Sequence, residues 1–216
     1  MSEAEPPIAS RGGPALDRLV ERMVAAGSIR FVVASDDRER EVAYRLRHDA
    51  VVGQGWARPD ELDSGREHDQ FDPGAIQVIG WDGAEPVCTG RLVLPPGPLP
   101  TEVACAISLE PPGQVVDVGR MVVAGSHQGT DHGVFVLLLG ALYLEVRRRG
   151  FSVACGMMTA PVQALARQLG FRLEVLGPSR TYWHEPRQPV RFVLGRDAPG
   201  LVERWDDEAG RGLRER

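Results

Sequence analysis

The chain has 216 residues, 43% of them hydrophobic, and a formal net charge of −5. That is apolar material for one sizeable core and suits one domain better than two, and the acidic balance offers no electrostatic footprint for nucleic acid. Lysine is absent, which excludes Schiff-base catalysis and leaves arginine, histidine and backbone amides to clamp any phosphate or carboxylate.

The pattern at 14–26 places Leu16, Leu19, Val20, Met23 and Val24 at helical spacing, closed by Gly27. The β-branched run 29–34 predicts a first strand. Asp36 and Glu39 then read as a capping box for a helix over 37–51, with Asp36 as N-cap and Glu39 at N3. Its stripe is Val42, Ala43, Leu46 and Ala50, and Arg47 flanks it.

Residues 52–74 are punctuated by Gly, Pro and acids and read as a long, partly helical connection, a length that in a compact domain often serves function. Strands are expected at 76–81 and 86–94, joined by an Asp82-Gly83 turn. A strong strand follows at 115–124, then a polar loop at 125–132 and a very apolar helix at 133–149. Arg147, Arg148 and Arg149 fall in its last turn and complement its dipole. A strand at 152–157, a helix capped by Thr159 with Pro161 in its first turn, and strands near 172–176 and 190–195 complete the order.

This order predicts a mixed, largely antiparallel sheet flanked by helices, a single α/β domain over 15–195. Residues 1–14 read as a mobile segment and 196–216 as a charged tail. Cys88, Cys105 and Cys155 match no zinc or redox spacing and read as reduced core cysteines. No basic-then-apolar leader pattern is present, and the longest apolar run, 134–144, falls short of the roughly 20 residues that span a bilayer. The expectation is a cytoplasmic protein without a membrane span. No metal-ligand spacing and no Ser–His–Asp order stands out.

One constellation carries chemistry. Arg47, Trp56, Glu67-His68-Asp69-Gln70-Phe71-Asp72, Gly90-Arg91 and Asp117-Val118-Gly119-Arg120 follow one another along the chain. In this order they resemble the acyl-homoserine-lactone (autoinducer) synthases and the related N-acyl amino acid synthases. The strand, polar loop and apolar helix at 115–149 resemble the acyl-thioester-binding core of the GNAT acyltransferase superfamily. In that core a helix N-terminus offers free amides to phosphate.

The resemblance implies a GNAT-type fold and N-acyl transfer from an acyl thioester, on coenzyme A or acyl carrier protein, to the amine of an amino acid or related small molecule. The thioester is a cosubstrate, and no tightly bound cofactor is implied. Glu67 and Asp69 are candidates to take the proton of an incoming ammonium. Arg47, Trp56, Asp72, Arg91, Asp117 and Arg120 are candidates to hold the acceptor. A backbone amide at Val122 or Val123 is the candidate oxyanion donor. Val123, His127, Gln128, Gly129, His132 and Gly133 are candidates to hold the cosubstrate, and Tyr182 to protonate the departing thiolate.

Two alternatives stand beside this reading: a lactone synthase using S-adenosylmethionine, and a GNAT-like binding module without turnover. A regular strand would send Asp117 and Arg120 to opposite faces, so a bulge at Gly119 is predicted. If the donor is an acyl carrier protein, Arg147, Arg148 and Arg149 are its candidate dock.

Overall fold

Local sequence sets most element boundaries in this computed structural model, which describes residues 13–129 and 132–194. The elements are α1 (Gly13–Ala26), β1 (Arg30–Val33), α2 (Asp37–Gly53), β2 (Ile76–Asp82), β3 (Glu85–Val93), α3 (Pro100–Cys105), β4 (Val115–Val123), α4 (Gly133–Arg148), β5 (Val153–Met158), α5 (Ala160–Gln168), β6 (Glu174–Val175), β7 (Arg180–Tyr182) and β8 (Glu185–Val193). Short 3-10 turns punctuate the 52–74 connection. The expected N-terminal segment through residue 12, the tail at 196–216, and Thr130 and Asp131 of the polar loop lie outside the described residues. Among the described residues no helix is long and apolar enough to cross a membrane.

The Asp36 side chain accepts from the Glu39 amide at 2.8 Å, as the cap motif predicts. The return bond is displaced by one residue. Glu39 reaches the amide and hydroxyl of Ser35 instead of the amide of Asp36. Thr159 precedes α5 but makes no side-chain cap bond. Two elements were not expected. Helix α3 is short, started by Pro100 in its first turn, and β7 turns back on β8 through a two-residue loop.

The strands run in the order β1-β2-β3-β4-β5-β8-β6, with β7 paired to β8. All pairs are antiparallel except β4–β5. This is the expected mixed, largely antiparallel sheet.

Alternation along the strands divides the sheet into two unlike faces. Val78, Leu92 and Val116 pack with Leu138 and Leu142 of α4 and Leu16, Leu19 and Val20 of α1. Gly90 belongs to this face. A Cβ there would lie 2.6 Å from Leu142, so only glycine lets α4 sit this close. Gln77, Arg91 and Asp117 alternate to the other face, which α2 and the 52–74 connection cover. Arg47 lies at the centre of the buried stripe of α2, with Ala43 and Val51, rather than at its flank. The polar site is therefore built into the second face of the sheet.

Candidate functional site

Three arginines and three carboxylates close into a ring on that second face. Arg47 donates through Nη1 and Nη2 to both oxygens of Asp72, at 2.7 and 2.9 Å, and through Nε to Glu67. Arg120 bonds Glu67 at 3.0 Å and Asp69 at 2.8 Å. Arg91 bonds Asp69 at 2.6 Å and lies 3.0 Å from Asp72, which returns the ring to Arg47. Gln77 and the Asp69 amide add bonds to Asp72, at 2.8 and 2.7 Å. Charges alternate around the ring and cancel. The sequence motif thus folds into one object: α2 contributes Arg47, the acidic connection its carboxylates, β3 Arg91 and β4 Arg120.

Arg120 reaches this face only because β4 bulges. Arg91 pairs with Gly119 and Thr89 with Val122, so Arg120 and Met121 together stand opposite Gly90. The left-handed residue is Arg120, at φ 51°, not Gly119, whose backbone takes no positive φ. The predicted bulge is therefore present but centred one residue later. An arginine in the left-handed region costs about 1 kcal/mol or more. The two carboxylates and the Tyr182 hydroxyl, which Arg120 meets at 2.6 Å, hold it there.

The ring sets its own titration. Burial alone would push the Asp72 carboxyl up, but Arg47 and Arg91 outweigh that and hold it well below the usual carboxylate range. Burial alone would lower Arg120, but Glu67, Tyr182 and Asp69 keep it above its ordinary value.

This geometry changes several expectations. Both oxygens of Glu67 and both of Asp69 are occupied by guanidinium donors, and Glu67 is fully buried. Neither is a free base facing an amine. Arg47 is committed through Nε, Nη1 and Nη2, and Arg91 holds Asp69 and Asp72 through Nη1, so both position the ring. Asp117 is not brought into the ring. It is buried beneath α3, accepts the Thr101 amide at 2.7 Å and caps that helix. Burial pushes its carboxyl upward, against the help of the Thr101 bonds and of Arg91.

Beside the ring, β4 parts from β5. Their parallel pairing covers only Val115, Val116 and Asp117. Farther along, Ala124 N–H donates to Val87 at 2.8 Å, on the β3 side. By the alternation of an antiparallel strand, Val122 N–H also points toward β3. Val123 N–H and C=O then point to the other edge, where β5 has left. The Gln128 side chain donates to the Val123 carbonyl at 2.8 Å, consistent with that direction, which favours Val123 over Val122 as the outward amide.

Two cavities meet at this opening, and Trp56, Met121, Val122 and Phe135 wall both. One, about 420 Å³, reaches the start of α4 and is lined by Val123, His127, Gln128, Gly129 and His132. His132 takes a left-handed φ of 56° just before Gly133 opens α4. His127 also pairs with Asp82 at 3.2 Å. The other cavity, about 260 Å³, runs toward the ring and is bounded by Arg47, Glu67, Arg120, Trp183, Glu185 and Arg187.

Sequence reasoning assigned nothing to Trp183, Glu185 or Arg187. The tract Tyr182-Trp183-His184-Glu185-Pro186-Arg187 is dense in aromatic and charged residues for a hairpin, and that was the available signal. Its turn, Trp183-His184, holds φ of 52° and 58°, a conformation usually given to Asn-Gly. The strained turn lays Trp183 over Arg120, 5.3 Å from the ring centroid. Tyr182 is spent on Arg120 and does not line either cavity among the described residues. Of the basic run at the end of α4, Arg147 pairs with Asp17, and Arg149 with Glu145.

No family model matches this chain, and no curated protein matches it significantly. Solved structures do match it. BjaI, a CoA-dependent acyl-homoserine lactone synthase solved with SAM and isopentyl-CoA, aligns at 18% identity and TM-score 0.62, over 84% of this chain and 89% of its own. FeeM, an N-acyl amino acid synthase from uncultured soil microbes, aligns at 15% identity and TM-score 0.58, over 82% and 92%. A candidate N-acetyltransferase from Lactobacillus plantarum aligns at 18% identity and TM-score 0.54, over 78% and 99%. What this chain shares with all three is the fold, a GNAT-type α/β domain with a mixed, mostly antiparallel sheet flanked by helices.

Proposed function

We propose that the protein is an N-acyltransferase that moves an acyl group from a thioester, on coenzyme A or acyl carrier protein, to the amine of an amino acid or related small molecule. The observation that carries this reading is the opening beside β4, where Val123, with its outward amide, lines the larger cavity next to Val122, which walls both cavities. The larger cavity suits the donor. His127, Gln128, Gly129 and His132 line it beside Gly133 at the start of α4, where the helix dipole favours phosphate. The smaller cavity suits the acceptor.

In the proposed step the thioester carbonyl oxygen rests against Val123 N–H. An ammonium first gives up a proton to a carboxylate or water at the cavity wall. The neutral nitrogen then attacks the carbonyl carbon, and a C–N bond forms as the C=O electron pair moves onto oxygen. That oxygen is stabilised by the amide. Collapse breaks the C–S bond and releases the thiolate, which takes the second proton from nitrogen. No enzyme-bound acyl group is required, and alignment of the two substrates supplies much of the acceleration. The ring holds Arg120 and Glu67 rigid at the acceptor wall.

Likeness to BjaI favours coenzyme A as the carrier and lactone synthesis from S-adenosylmethionine as the second reading. Mass spectrometry of products from the full chain, a series of acyl-CoA donors and a mixed amino-acid pool tests both. N-acyl amino acids are expected. A lactone released with methylthioadenosine when S-adenosylmethionine is supplied decides for the second reading. Donor binding without product from any amine would leave only the binding-module alternative.

A further inference from the structure

Among the described residues, the acceptor cavity has two charged groups that the ring does not consume. Glu185 and Arg187 are two residues apart on β8, so they share a face of that strand, and both line the cavity. Their mutual contact is loose, 3.7 Å between Arg187 Nη2 and Glu185 Oε2. Arg187 is 17% exposed, and its Nε is buried without a hydrogen-bond partner. An unpaired buried N–H on a cation is costly. The guanidinium carbon sits over the Trp56 ring, 4.8 Å from its centroid.

Resting on the acyltransferase reading above, we propose that Glu185 and Arg187 recognise the α-amino-acid head of the acceptor, Arg187 taking the carboxylate and Glu185 the ammonium. A zwitterion matches this pair in charge. Its carboxylate satisfies the orphaned Nε and the adjacent Nη in the two-point geometry that guanidinium favours. The ammonium replaces Arg187 as the partner of Glu185. The environment agrees: burial and the positive charge of Arg120 lower the Arg187 pKa, so an anion placed there is stabilised. The ring arginines offer no such place: Arg47 is committed to Glu67 and Asp72, Arg120 to Glu67, Asp69 and Tyr182, and Arg91 does not line this cavity. The acceptor class is therefore a molecule with a free α-carboxylate, not a simple amine.

The test compares octanoyl-CoA turnover with L-phenylalanine, L-leucine and L-methionine, with their methyl esters, and with the corresponding decarboxylated amines. S-adenosylmethionine, which carries the same head on a sulfonium, is a further arm that separates a free amino acid from that source. For wild type, kcat/KM is expected to favour the best free acid, or S-adenosylmethionine, over its carboxylate-lacking analogue by about tenfold or more, as a charge-assisted hydrogen bond provides. Arg187→Gln is expected to collapse that ratio to near one, mainly through KM. Glu185→Gln should raise KM for the acids. Folding of the variants is read by circular dichroism and retained octanoyl-CoA binding; if Arg187→Gln does not fold, the wild-type ratio of acid to methyl ester decides. Equal use of acids, esters and amines by wild type, or a ratio that survives Arg187→Gln, overturns this inference and leaves acyl transfer standing. No acylated product from any acceptor overturns both.

Discussion

Two charged clusters share one cavity wall and differ in almost every physical respect. The ring of Arg47, Glu67, Arg120, Asp69, Arg91 and Asp72 is closed and largely buried, each charge in contact with two of opposite sign. The pair Glu185–Arg187 is open, held by one long contact, with an orphaned donor. Arg120 in the first cluster has its pKa raised by its partners, while Arg187 in the second has its own lowered. A buried charge whose bonds are complete builds structure, whereas one whose bonds are incomplete carries a cost that a partner would relieve. A dense acidic motif in a sequence can therefore mark the scaffold of a site rather than its reactive groups.

The contrast breaks most visibly at Arg47. Arg47→Met leaves Glu67 and Asp72 buried without their main partner and is expected to cost about 3–5 kcal/mol in urea unfolding. A loss below about 1 kcal/mol would show that water reaches the ring.

The acid side of the ring gives the next test. The folded-state pKa of Asp72 lies below its unfolded value. Its contribution to stability is then present above the unfolded pKa, about 3.9, and lost as pH falls through the folded one. Asp117, raised by burial, acts in the opposite sense and favours the fold at low pH. Urea midpoints measured from pH 7 to pH 3 should fall for wild type, and the gap to Asp72→Asn should narrow below about pH 4. A constant gap would refute the ionised assignment of Asp72.

Smaller effects sharpen the two sides of the bulge. Gly90→Ala drives a methyl to within 2.6 Å of Leu142 and is expected to cost about 1–3 kcal/mol by thermal unfolding. Gln128→Ala removes the bond to the Val123 carbonyl. It should weaken donor binding by about 1 kcal/mol, seen as a several-fold rise in KM for the acyl thioester with little change in stability. Gly119→Ala, where a Cβ meets nothing closer than 3.7 Å, is expected to stay within about 0.5 kcal/mol of wild type. A large loss there would move the strained position of the bulge back to Gly119.

Much of this was legible in sequence because it depends on local chemistry. Asp36 caps α2 through its own side chain, the apolar period marks α1, the β-branched run marks β1, and the apolar composition marks α4. The resemblance named Arg47, Glu67, Asp69, Asp72, Arg91 and Arg120, and the structure brings all six into one ring. Their roles were not legible. Whether a carboxylate is a base or a counter-ion depends on which donors reach it, and those come from α2, β3 and β4, far apart in the chain. Asp117 carried the same kind of signal but is turned to α3, whose six residues show little period. Trp183, Glu185 and Arg187 had no motif, because their meaning comes from lying across from Trp56 and Arg120.

By itself the sequence determined all the elements but α3 and β7, the single α/β domain and the six charged residues of the ring, since period, caps and composition act over a few residues. Tertiary structure alone decided which charges are spent and which are free. That division follows from burial: once the connection at 52–74 closes over the sheet, the charges it covers must find partners, whereas among the described charged residues lining the cavity Glu185 and Arg187 keep only a loose contact with each other.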